Sequence, residues 1–210
     1  MPKVERDSLM SLEQYAKSRP QFRADVLRHK KSRIVPVGAN ITLIFEDELT
    51  VRYQVQEMLR IEKTFESAGI QDELDAYNPL VPDGSNWKAT MLIEYADANV
   101  RKRELARLRN VEHHVRAMID GVASPVTAIA DEDMDRSNEE KTSAVHFLRF
   151  ELDVDARAAV LAGAGITIAI EHPAYTAQTP LGQASRDSIA GDLAPPQQGS
   201  RSRAAVAGQA

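Results

Sequence analysis

One segment in the first third of the chain has the periodicity of an amphipathic helix and carries a carboxylate on its apolar face. It spans residues 45–66, FEDELTVRYQVQEMLRIEKTFE. At 100° per residue its apolar side chains fall on one arc, which holds Val51, Val55, Met58, Leu59 and Phe65. Glu62 projects into the middle of that arc. A bare buried charge is too costly, so we expect Glu62 to face the core with a hydrogen-bond, cationic or metal partner, or with a bound proton.

Composition narrows the classes of function. The 210 residues, 43% of them hydrophobic, suffice for one domain with a real core and a tail. The absence of cysteine excludes disulfides, thiolate-held iron–sulfur clusters and thiol nucleophiles. A net charge of −5 argues against a general nucleic-acid binder. No segment approaches the roughly 20 apolar residues of a membrane span, so we expect a cytoplasmic protein without membrane contact.

Periodicity and capping signals predict an α+β fold. Ser11 and Gln14 fit a capping box for a first helix, and a second helix from Pro20 to about residue 31 would pack on it as an N-terminal helical hairpin. Asp47, Asp97 and Asp153 are predicted to cap later helices. Extended segments are predicted at 34–45, with a turn at 38–40, and at 88–95, 113–119, 126–130, 142–152 and 166–172. Hairpins mixed with crossover connections favour a two-layer domain with a mixed, largely antiparallel sheet of about six strands.

The chain changes composition after Tyr175. Residues 176–210 are rich in Ala, Gln, Ser, Gly and Pro. Such a segment buries too little apolar surface to offset an ordering entropy of roughly 1–2 kcal/mol per residue. We therefore expect a single α+β domain over residues 1–175 and a disordered C-terminal tail over residues 176–210.

A histidine on a predicted strand is the second unusual feature. Alternation along TSAVHFLRFEL places His146 on the inward face with Leu148 and Phe150. One hypothesis is that His146 meets Glu62 in a proton relay or a metal site, and these two are the candidate catalytic residues. The alternative is a core histidine satisfied by ordinary hydrogen bonds.

No cofactor is evident in the sequence, and a divalent metal is the one candidate. Its candidate ligands are Glu62, His146, Glu94 and His172, which offer carboxylate oxygen and imidazole nitrogen at spacings typical of no known site. The acidic stretch 131–140 is another place where a cation or a basic partner could bind, but we expect a solvated loop there.

The proline-rich segment 78–86, NPLVPDGSN, is predicted to be a loop. Its polar groups and the residue two positions beyond it make a candidate binding loop of Asp83, Ser85, Asn86 and Lys88. The loop would act as a lid over an anion or other small ligand, or it would be an ordinary structural turn.

Several phrases resemble one bacterial family in the same order along the chain: IFEDELTVRYQVQEMLRIEKTFE, QDELDAYNPLVPDGSNWKATMLIEY, IADEDMDRSNEEKTSAVHFLRFEL and IEHPAY. This family is named domain of unknown function 3501, and the resemblance covers about residues 1–175. It implies genes near those of rubrerythrin-like proteins and iron–sulfur oxidoreductases, hence a place in redox or peroxide metabolism. It brings no catalytic residues.

Three functions stay open on this basis. The first is a cytoplasmic accessory or binding protein of such a redox system, with a rubrerythrin-like or iron–sulfur protein as partner. The second is a metal-dependent enzyme with a His/carboxylate site around Glu62 and His146. The third is a small-ligand sensor that uses the loop 78–86 as a lid. The sequence does not fix the oligomeric state.

Overall fold

The computed structural model describes residues 3–132, 136–137 and 140–194. Within these residues six α-helices accompany nine strands in two antiparallel sheets, so the α+β prediction is confirmed. None of the helices in these ranges has the length and apolar character that a bilayer-spanning segment requires.

The elements alternate along the chain. The helices are α1 (Leu12–Lys30), α2 (Glu48–Glu62), α3 (Ser67–Tyr77), α4 (Ala98–Arg107), α5 (Val154–Leu161) and α6 (Gln183–Ala190). The strands are β1 (Ile34–Val37), β2 (Ile41–Glu46), β3 (Asn86–Ile93), β4 (Val115–Ile119), β5 (Val126–Thr127), β6 (Ile129–Ala130), β7 (Val145–Glu151), β8 (Ile166–His172) and β9 (Tyr175–Pro180). The first sheet has the order β1-β2-β3-β7-β6, and the second has the order β5-β4-β8-β9.

A shared hydrophobic core contains side chains from both sheets. In β3 every second residue is buried, from Trp87 to Ile93, as strand alternation requires. Met91 pairs with Leu43 of β2 on one side and with His146 of β7 on the other. His146 is 0% exposed, which confirms the prediction that it points inward.

The predicted six-stranded sheet is wrong in number and in continuity. Gly38, at φ +75°, turns the chain between β1 and β2, which confirms the turn predicted at 38–40, and the two halves of the segment 34–45 pair as a hairpin. Strands β5 and β6 are only two residues long and belong to different sheets. Between them, the N–H of Ala128 donates to the carbonyl oxygen of Val115 (2.9 Å), so one extended segment passes from the second sheet to the first.

The predicted N-terminal hairpin is also wrong. The Ser11–Gln14 capping box is present, but α1 continues through Pro20 to Lys30 as one helix. A proline inside a helix removes one backbone hydrogen bond. Tyr15 before it and Val26 after it are both buried, so each half of α1 packs against the rest of the domain.

The domain continues well past Tyr175. Strand β9 pairs along β8, and α6 packs Ile189 into the shared core. The indole N–H of Trp87 donates to the carbonyl oxygen of Ile189 (2.9 Å), and the guanidinium of Arg33 contacts Asp192 at 2.5 Å. The prediction of a tail is therefore wrong for 176–194. A few buried apolar residues and these two polar contacts hold this segment on the domain, although most of its residues are small or polar. The rest of that prediction, 195–210, lies outside the described residues.

Candidate functional site

Glu62 does not face the core. It is exposed, and it is the last residue of α2. Lys63, at φ 55°, ends the helix in the left-handed conformation, so the helical arc predicted from the sequence stops at Leu59 and Phe65 is 72% exposed. The pKa of Glu73 in α3 is raised, first by burial and second by the negative charge of Glu62. The predicted burial of Glu62 and its pairing with His146 are therefore wrong.

The partners of His146 are two other carboxylates. We call Glu112, Asp131 and His146 the carboxylate–histidine cluster. The imidazole Nδ1 lies 2.5 Å from Oδ2 of Asp131, and Nε2 lies 3.8 Å from Oε2 of Glu112. Nε2 is also 2.8 Å from the hydroxyl oxygen of Thr142. One possible ligand atom from each of the three cluster residues lies within 4.8 Å of the others.

Backbone geometry fixes Asp131 beside β7. Its N–H donates to the carbonyl oxygen of Phe147 (2.8 Å), and its Oδ1 accepts the N–H of Phe147 (3.0 Å). Asp131 is left-handed, at φ 49°, a conformation that Asp tolerates better than most residues. The guanidinium of Arg136 lies 3.4 Å from Oδ1. The side chain of Asp131 is thereby aimed at His146 across the end of the strand.

Glu112 comes from a short 3₁₀ turn before β4 and is buried. The hydroxyl of Ser137 donates to its Oε1 (2.5 Å). Its other oxygen, Oε2, accepts from the hydroxyl of Thr142 (3.2 Å). The cluster thus joins β7, the residue after β6 and the turn before β4, and each of its side chains has hydrogen-bond partners.

Two kinds of chemistry use such an arrangement. Asp131, His146 and Thr142 have the order of an orienting acid, a base and a hydroxyl nucleophile. However, His146 is 0% and Thr142 is 1% exposed, so a substrate does not reach the hydroxyl in this conformation. A metal ion needs far less room, and imidazole with carboxylates is a donor set that divalent transition metals accept.

The sequence model of one family matches residues 3–193. Its description is "Protein of unknown function (DUF3501)". The chain belongs to this family. Membership confirms the resemblance to domain of unknown function 3501, and the match extends beyond the expected limit near residue 175 to include β9 and α6. No curated protein matches the chain.

A solved structure has the same fold. It is described as the crystal structure of a novel protein of unknown function from Burkholderia pseudomallei K96243 at 1.90 Å resolution. That protein is 52% identical to this family member, the alignment covers 92% of this chain and 100% of that chain, and the TM-score is 0.87.

The other predicted metal ligands are not in the cluster. Glu94 is exposed, and its Oε2 accepts from the hydroxyl of Thr42 (3.1 Å). His172 uses both ring nitrogens, since Nε2 lies 3.0 Å from the carbonyl oxygen of Arg109 and Nδ1 accepts the N–H of Ala174 (3.1 Å). Burial lowers the pKa of His172, which favours its neutral form. Of the four candidates, only His146 belongs to the cluster.

The candidate binding loop separates into a turn and a lysine. Oδ1 of Asp83 accepts from the N–H (2.8 Å) and the hydroxyl (2.7 Å) of Ser85, and the N–H of Asp83 donates to Oδ1 of Asn86 (3.3 Å). These three residues stabilise a turn in the way that Asp and Asn commonly do. Lys88 lies further along β3, on the outer face of the first sheet, and lines a cavity there.

Sequence reasoning missed Glu112 and Asp131 as partners of His146. Glu112 lies in a 3₁₀ turn, and neither strand alternation nor helical periodicity in the sequence reveals such a turn. Asp131 stood in an acidic stretch expected to be a solvated loop, whereas it is hydrogen-bonded to the end of β7. Its position at the end of the predicted strand 126–130 was the one available signal.

Proposed function

We propose that the protein binds a divalent first-row transition-metal ion at the carboxylate–histidine cluster. The observation that carries the proposal is the meeting, within 4.8 Å, of ligand atoms from the buried Glu112 and His146 and the partly buried Asp131. Imidazole suits zinc, iron, copper and nickel, and carboxylates suit manganese and magnesium, so the mixed set favours zinc, iron(II) or manganese. Calcium and magnesium are bound mainly by oxygen ligands, so the histidine in this cluster argues against these two ions.

The separations in the cluster are compatible with coordination after small movements. Metal–ligand bonds to nitrogen and oxygen are about 2.0–2.2 Å, so two ligands of one ion lie at most about 4.3 Å apart. Nε2 of His146 and Oε2 of Glu112 are 3.8 Å apart and meet that limit. Asp131 would have one of two roles. It would coordinate the ion directly, or it would accept the Nδ1–H of His146 so that Nε2 points at the ion, as carboxylates outside the ligand set do in many metal sites.

The charges of the cluster also favour a cation. The site brings two carboxylates together beside one imidazole, and the guanidinium of Arg136, 3.4 Å from Oδ1 of Asp131, offsets part of their negative charge. A divalent ion would balance the remainder and would tie together three segments that are distant in sequence. Binding to the folded state alone would stabilise it by about 2.7 kcal/mol at a free metal concentration one hundred times the dissociation constant.

Metal analysis and titration test this proposal. Protein purified without an affinity tag should contain metal at close to one ion per chain, or should bind Mn²⁺ or Zn²⁺ after chelator treatment. Glu112→Gln keeps the side chain's shape and should weaken binding at least tenfold, as should His146→Gln. Glu94→Gln is the matched control, because Glu94 is exposed and outside the cluster. Equal metal affinity in the wild type and Glu112→Gln contradicts the proposal.

We further propose that the metal-binding protein acts in the cytoplasm as an accessory component of a rubrerythrin or iron–sulfur redox system. The support is the family resemblance together with the lack of cysteine, which leaves thiolate-held redox centres to partner proteins. Metal-dependent catalysis is the weaker alternative because His146 is inaccessible to a substrate. Affinity purification of the native protein should enrich a rubrerythrin-like or iron–sulfur protein, and purification without either contradicts this role.

Small-ligand sensing is a second candidate function. A cavity beside Lys88 favours it, because Pro79 and Leu80 of the predicted lid loop form part of its wall. Sensing predicts that a ligand stabilises the protein against heat. This stabilisation is expected to be lost in Asp83→Ala.

A further inference from the structure

A cavity of about 140 Å³ lies against the outer face of the first sheet. Its floor includes the side chains of Lys88, Phe147 and Arg149, which alternate outward from β3 and β7. Its apolar wall is formed by Tyr77 at the end of α3 and by Pro79 and Leu80 in the turn that follows. The cavity therefore combines an apolar body with cations at one side.

The two cations in the floor differ in their partners. The guanidinium of Arg149 contacts both oxygens of Glu132 at 2.8 Å and also donates to Glu151. Lys88 makes no side-chain hydrogen bond or ion pair with any residue in the described ranges, although it is partly buried. Burial, and then the charge of Arg149, lower the pKa of Lys88. Lys88 is thus a cation with donors to offer and a desolvation cost that an anionic partner would offset.

We propose that this cavity binds a small monocarboxylate with an apolar body about the size of one ring, with the carboxylate on Nζ of Lys88. The proposal rests on the small-ligand candidate above and names its ligand class. An apolar cavity of about 150 Å³ holds a benzene molecule, so the observed volume suits a ring or a short branched chain. The body lies against Tyr77, Leu80 and Phe147.

The surrounding carboxylates limit the charge of the ligand. Glu132 lines the cavity, and Glu151 is held next to it by Arg149. These groups repel a second negative charge, so a phosphate dianion fits less well than a carboxylate. A neutral ligand of the same shape leaves the ammonium of Lys88 without a charged acceptor, and it binds more weakly for that reason.

Benzoate and benzamide are the probes, because they share a ring and differ in charge. Binding to the full chain is measured by protein-observed NMR at pH 7, with inorganic phosphate as a competitor. Benzoate is expected to bind at least roughly tenfold more tightly than benzamide, the difference that one charge-assisted hydrogen bond makes. Lys88→Met should abolish that preference. Lys102→Met, at an exposed position on α4, should leave it unchanged.

A second variant keeps the test independent of Lys88. Leu80→Phe fills the cavity from its wall and should block both probes. Equal binding of benzoate and benzamide, retention of the preference in Lys88→Met, or stronger binding of phosphate overturns the carboxylate assignment while leaving a ligand cavity. Binding of neither probe to the wild type overturns both this assignment and the small-ligand candidate.

Discussion

The buried ion pair that fastens the C-terminal segment should make stability depend on pH. Asp192 is 2% exposed, and its Oδ2 lies 2.5 Å from Nη2 of Arg33. Burial raises the pKa of Asp192 to about 6, and the charge of Arg33 only partly opposes this effect. The folded protein therefore holds a proton on Asp192 over a range in which the unfolded chain has lost it.

The size of the effect follows from the shift. The pKa rises from 3.8 to about 6. Each unit corresponds to about 1.36 kcal/mol, so the shift is worth about 3 kcal/mol. Between these values the folded state binds more protons than the unfolded state, and stability therefore falls as the pH rises. The contribution is complete below about pH 3.8 and is lost as the pH rises through 6.

Urea unfolding followed by fluorescence measures this directly. Trp87 is the only tryptophan, and its indole contacts the carbonyl of Ile189, three residues before Asp192. Asp192→Asn keeps the shape but cannot ionise, so the difference in unfolding free energy between wild type and variant isolates this group. The pKa of Glu57, lowered to about 2 by its hydrogen bond with Arg19, lies outside the window and is common to both proteins.

The expected result is a change in that difference by about 2.4 kcal/mol between pH 4 and pH 7, with the variant gaining relative to the wild type as the pH rises. The reasoning is refuted if the difference is constant over this range. It is also refuted if the wild type gains relative to the variant, because Arg33 would then hold Asp192 charged throughout.

Four further changes test the fold by urea unfolding. Trp87→Phe leaves the carbonyl of Ile189 without its donor and removes buried volume, and it should cost about 2–4 kcal/mol; an unchanged midpoint contradicts this. Deletion of residues 183–194 should abolish a cooperative transition, because Arg33 loses a buried counter-ion, and a cooperative transition in the deletion variant is the opposing result. Pro20→Ala restores a helix donor at an exposed site and should stabilise by about 1–3 kcal/mol, whereas a loss of stability counts against the argument. Glu62→Gln should change stability by less than about 0.5 kcal/mol, and a larger loss would place Glu62 in a buried contact.

Local signals predicted the elements that local interactions decide. Ser11, Asp47, Asp97 and Asp153 each cap a helix where the sequence places one, because a cap depends only on groups within one turn. The inward position of His146 followed from strand alternation in the same way. These predictions needed no knowledge of distant residues.

The predictions fail where the structure is determined by contacts between residues distant in sequence or by the position of a helix end. Glu62 lies on the predicted apolar arc, but it is the last residue of α2. The arc does not continue past it, and Glu62 is therefore not buried. The C-terminal segment has a composition typical of a tail, yet Arg33 and Trp87 bind it from far along the chain. The partners of His146 are 15 and 34 positions away, at Asp131 and Glu112, and periodicity carries no information about such pairs.

The two proposed sites share one strand and one dipeptide. Strand β7 turns His146 toward the carboxylate–histidine cluster and Arg149 toward the cavity, because neighbouring side chains alternate between its faces. The side chain of Asp131 is hydrogen-bonded to His146, and that of the next residue, Glu132, is hydrogen-bonded to Arg149. An ion that moved Asp131 would therefore displace Glu132 through a single peptide unit. Glu132 is the carboxylate that most directly limits negative charge in the cavity, so metal and carboxylate binding are expected to influence each other, and by the same factor in both directions.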